Sequence, residues 1–113
     1  MSQMDKLRVL LACCVIGGLV AASVLPVAGL PGDPGNYLGH FSAYSLAMVA
    51  LAGVVKLRAW ATGLGLVFLG IGIEFLQPAF GRENHWQDML ANAIGVGIGW
   101  LTIVVWDRTT VRE

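Results

Sequence analysis

Apolar and polar positions along this chain sort into four long apolar blocks separated by short polar breaks. The blocks cover about residues 9–27, 38–55, 59–77 and 86–106. Each matches the roughly 17–25 residues that carry a helix across the hydrocarbon core of a bilayer. The breaks read as turns. Leu30-Pro31-Gly32-Asp33-Pro34-Gly35-Asn36 concentrates glycine and proline, Lys56-Leu57-Arg58 is a short charged hairpin, and Pro78 stops the third block just after Gln77. The fourth block carries its own start signal: Asn84 lies three residues before Gln87, the spacing of a capping box. Asp88 then falls in the first helical turn, where a carboxylate faces the positive end of the helix dipole. The pattern predicts an all-α, single-domain bundle over residues 1–113, with four transmembrane helices and antiparallel sequence neighbours.

Composition agrees. Of 113 residues, 57% are hydrophobic and 12% charged, where a soluble domain carries about 25% charged residues. The net charge of zero offers no basis for a nucleic-acid partner. Cys13 and Cys14 are adjacent, so on a helix they point about 100° apart. They read as small packing residues rather than a disulfide.

The basic residues orient the bundle. Lys6, Arg8, Lys56, Arg58, Arg108 and Arg112 fall on one side of the four-span arrangement and only Arg82 on the other. That asymmetry predicts both termini in the cytoplasm. Asp33, Glu74, Glu83 and Asp88 add negative charge to the outer side. Trp60 and Trp106 then lie at the inner interface and Tyr37 and Trp86 at the outer one, as an aromatic belt. Lys6 and Arg8 ahead of an apolar run that ends near Ala21-Ala22-Ser23 also fit a secretory signal. The run continues through Val27, long enough to span, and a retained helix is the expectation.

Six polar side chains interrupt the apolar blocks at one predicted depth, in the outer third of the bilayer: His40, Tyr44, Glu74, Gln77, Asp88 and Asn92. Within each block the two residues stand three or four apart and share a helix face. Ionisable groups inside a span cost a few kcal/mol, roughly 2.5–3.5 on insertion scales, and mark functional sites by default. Arg82 sits in the short loop above them, with a fork suited to phosphate or carboxylate. Gly70 and Gly72 in the third block, and Gly95, Gly97 and Gly99 in the fourth, are spaced for close helix packing within the chain.

The ordered set His40-Phe41-x-x-Tyr44, Lys56-x-Arg58, Glu74-x-x-Gln77 and Gly81-Arg82-x5-Asp88-x3-Asn92-x2-Gly95 resembles the VanZ-like membrane proteins, over roughly residues 33–101. That family takes its name from a protein of teicoplanin resistance. The resemblance implies about four spans and a role in the cell envelope, either glycopeptide resistance or handling of glycan precursors. Members often carry an Asp-Lys pair just ahead of the histidine. Here Asp33 is followed by Pro34 and Gly39 precedes His40, which leaves Arg82 as the fixed cation of the group.

Three readings of the polar set stand side by side. As interhelical glue, each hydrogen bond contributes about 0.6–2 kcal/mol, which suits Gln77 and Asn92 better than the two carboxylates. As an outward-opening pocket, Arg82, Asp88, Glu74 and His40 recognise the head group of a lipid-linked envelope molecule or glycopeptide. An acid/base pair of His40 with Glu74 or Asp88 is the enzymatic version of that pocket. Neither a His-Glu-x-x-His nor a paired-cysteine motif is present, and neither metal nor cofactor is expected. His85 reads as a solvated first-turn residue. The third reading is a small accessory subunit docked through its lipid-facing surface onto a larger membrane complex.

Overall fold

The computed structural model describes residues 2–25, 36–81 and 85–110. It contains four helices long and apolar enough to cross a membrane, and no strand among the described residues. The chain is a multi-pass membrane protein. Helix α1 runs Gln3–Val24; α2 runs Tyr37–Met48 and continues through a π-helical stretch, Val49–Val54. Helix α3 runs Ala59–Leu76 with a 3₁₀ turn over Gln77–Phe80, and α4 runs Trp86–Thr110.

The helix ends depart from the apolar blocks for local reasons. Helix α1 begins at Gln3 rather than near Val9, because Ser2 and Asp5 form a capping box with bonds of 3.1 and 3.2 Å. Such a cap satisfies the first amide groups and lets a helix extend into polar sequence. The Asn36 side chain caps α2 by accepting from the Gly39 amide at 3.0 Å. The α-helical part of the third span ends at Leu76; Pro78 lies at the start of the 3₁₀ turn that follows, where its missing N–H is not needed, and Gly81 ends the turn at φ +82°. The expected hairpin at Lys56 is a wide helix terminus. Leu57 N–H reaches back to the Leu51 carbonyl at 3.0 Å, and Lys56 takes a left-handed φ of +70°. The Asn84 cap expected for α4 lies outside the described residues, as does Val27.

Helices α2 and α4 form the centre. The buried positions of α2 (His40, Tyr44, Ala47, Met48, Leu51) and of α4 (Asp88, Ala91, Asn92, Val96, Gly99) recur every three or four residues, one stripe on each helix. A Cβ placed on Gly95 would lie 2.6 Å from the Phe41 carbonyl oxygen, and one on Gly99 2.7 Å from that of Ser45. Both glycines thus let backbone meet backbone, and the matching four-residue steps make α2 and α4 parallel. Helix α3 packs antiparallel to α4: Gly63 lies against Trp100 and Gly70 against Asn92, with Cβ clearances of 3.0 and 3.1 Å. Gly72 and Gly97, also expected in packing faces, have nothing within 4 Å and face outward.

Helix α1 lies on the rim, with Leu19, Ser23 and Val24 as its buried residues. Cys13 and Cys14 are free and exposed, so they do not act as packing residues within the chain. Tyr37, Trp60, Trp86 and Trp106 are exposed at helix ends, where ring anchors are expected.

Candidate functional site

The alternating helices bring the start of α2, the end of α3 and the start of α4 to one end of the bundle. All six polar residues singled out from the sequence meet there, and none is more than 3% exposed. Arg82 lies outside the described residues.

The centre of the group is the His40 ring. Its Nδ1 lies 2.6 Å from Asn92 Oδ1, and its Nε2 lies 3.6 Å from Asp88 Oδ1. With the Asn92 oxygen turned to the ring, Nδ1 carries the proton and donates. Nε2 then faces the Asp88 carboxyl group. The 3.6 Å separation is too long for a direct hydrogen bond, and Nε2 has no hydrogen-bond partner among the described residues. His40 is placed by its position one turn into α2, Asp88 and Asn92 by successive turns of α4. The close backbone approach at Gly95 allows that reach.

Glu74, in the last turn of α3, accepts from the backbone amide of His85 just ahead of α4. This bond clasps α3 to α4 at the mouth of the group. His85 is therefore half-buried and engaged, not a fully solvated first-turn residue. Glu74 also lies near Asp88. Gln77 donates from Nε2 to the Ser23 carbonyl at 3.0 Å and ties α1 to α3. The Tyr44 hydroxyl packs over Gly70, beside Ser23 and Glu74, and makes no hydrogen bond of normal geometry among the described residues. Gly70 is thus a packing residue whose missing side chain leaves room for the Tyr44 and Asn92 polar ends.

Three participants were not legible in the sequence. The Ser23 carbonyl and the His85 amide act through backbone, which residue type does not reveal, and Gly63 seats Trp100 without any motif around it. The six expected residues do converge, but the described residues pack them tightly. None lines the grooves delimited by described residues, which lie elsewhere on the bundle. Among the described residues no group of three metal-ligating side chains is arranged to hold an ion.

Chemically, the arrangement offers two carboxylates, one imidazole, one phenol and two amides in a low-dielectric setting, where each polar contact is strengthened. No family model, curated protein or solved structure matches this chain.

Proposed function

We propose that this chain is a VanZ-like protein of the bacterial inner membrane, with both termini cytoplasmic. On this reading the buried polar group lies beneath the outer surface. Its task is recognition of the amine- or hydroxyl-bearing head group of an envelope molecule, in glycopeptide resistance or glycan-precursor handling. The observation that carries the reading is the state of the two side chains at the centre. His40 Nε2 and the Tyr44 hydroxyl are buried without hydrogen-bond partners among the described residues, beside two carboxylates. An unsatisfied buried polar atom costs about 1–3 kcal/mol. Two of them in one group are wasteful for pure glue and useful for a site that takes up a ligand. Glu74, Asp88 and His40 hold the ammonium or hydroxyl, and Arg82 in the adjoining loop supplies the cation for a phosphate.

The test uses isosteric variants that remove charge but keep shape: Glu74→Gln and Asp88→Asn, together with Arg82→Ala. In a strain whose tolerance of a teicoplanin-type glycopeptide depends on this chain, all three should lose protection at unchanged membrane abundance. Full protection by all three variants would sink the reading.

A further inference from the structure

The opposite end of the bundle carries a second, separate feature. Helices α2 and α4 touch backbone to backbone at Gly95 and Gly99, then diverge: a Cβ on Gly53 would meet only the side chains of Val49 and Ile103, at 3.8 and 3.9 Å. The π-helical stretch at Val49–Val54 widens α2 at this level, and α4 runs on past the end of α2. Between them lies a groove of about 390 Å³, within the size range of small-ligand sites. Ala52, Gly53 and Ile103 line its apolar depth, and Trp106 forms a wall at the level where interfacial rings collect. Thr102 adds no spare donor, since its hydroxyl bonds to the Ile98 carbonyl at 2.9 Å.

The groove is also lined by one cation and one anion, on different helices. Lys56 comes from the left-handed turn that ends α2, and Asp107 from α4. Both are exposed, and neither has an ion-pair partner among the described residues. An apolar slot with an unpaired cation and an unpaired anion is complementary to a molecule with an acyl chain, a phosphate and a primary ammonium. We propose that this groove is a seat for a zwitterionic phospholipid of the ethanolamine type, with the phosphate at Lys56, the ammonium at Asp107 and an acyl chain along Gly53. A choline head group cannot donate an N–H hydrogen bond to Asp107, and a glycerol head group brings hydroxyls but no positive charge to that carboxylate. The seat is independent of the polar group at the other end and does not rest on the function proposed for it.

Native mass spectrometry of the full chain, released from nanodiscs holding equal phosphatidylethanolamine, phosphatidylglycerol and phosphatidylcholine, tests the assignment. One phosphatidylethanolamine should be retained about tenfold over phosphatidylcholine, the size expected of one charge-assisted hydrogen bond. Lys56→Gln with Asp107→Asn should erase the preference. Gly53→Leu, which has room for its Cβ, should remove the bound lipid by filling the slot while helix content by circular dichroism is unchanged. Equal retention of the three lipids, a preference for phosphatidylglycerol, or a preference that survives both variants would overturn the proposal.

Discussion

Helices α1 and α4 look alike as stretches of sequence, and α1 is the more apolar of the two. Their places in the molecule are opposite. Helix α4 is the hub, with Asp88, Asn92, Gly95 and Gly99 in contact with α2 and a second face on α3. Helix α1 is held by a few buried side chains and by the long-range bond from Gln77 to the Ser23 carbonyl. The contrast follows from the solvent. Lipid tails are as apolar as leucine, so extra hydrophobicity does not draw a helix into the centre of a membrane bundle. Small residues that admit a neighbouring backbone, and polar residues that need a partner, decide which helix is central.

The largest effect that would break this contrast is steric. Gly95→Leu and Gly99→Leu place side-chain atoms where Phe41 and Ser45 carbonyls already stand. Overpacking costs about 1–3 kcal/mol where neighbours can shift, and here the obstacle is backbone. Both variants should unfold in far milder detergent conditions than the parent, while Gly97→Leu and Gly72→Leu stay within about 0.5 kcal/mol of it. Equal behaviour of Gly95→Leu and Gly97→Leu would remove the seam as the source of α4's central role. An intermediate effect is expected at the rim. Gln77→Leu should cost about 0.6–1.7 kcal/mol and raise amide exchange in α1 more than in α4. Uniform loosening of both helices would show that α1 is not separately tethered. The smallest effect has the opposite sign. Lys56→Gly should stabilise by about 0.5–1 kcal/mol, since glycine adopts a left-handed φ that a lysine side chain resists. An unchanged or lowered unfolding midpoint would mean that other interactions of Lys56 outweigh the relief.

The four spans were legible because twenty-odd apolar residues between turn signals have few alternatives. The polar group was legible as well. His40, Glu74 and Asp88 are conspicuous in apolar sequence, and alternation of the helices puts them at one end. Pairing was much less so. Gly95, Gly97 and Gly99 look equivalent in one dimension, yet only the first and third face α2, because Gly97 lies two residues round the helix from each. The start of helix α1 was not legible, because hydropathy marks the membrane span and not the cap at Ser2. The widened end of α2 has no sequence signature at all. Which of the polar residues touch was not legible, because packing between side chains fifty positions apart, such as His40 and Asn92, cannot be read from their order.

The parallel seam also dictates an order of assembly. His40 meets its partner Asn92 across 52 positions of chain, so the imidazole on α2 is inserted long before α4 leaves the ribosome. Until then that ring, the Tyr44 phenol and the bare carbonyls of Phe41 and Ser45 have lipid, α1, α3 or the insertion machinery for company. Of these four helices the latest made is the one that seals the interior, so the seam closes only once α4 has been delivered.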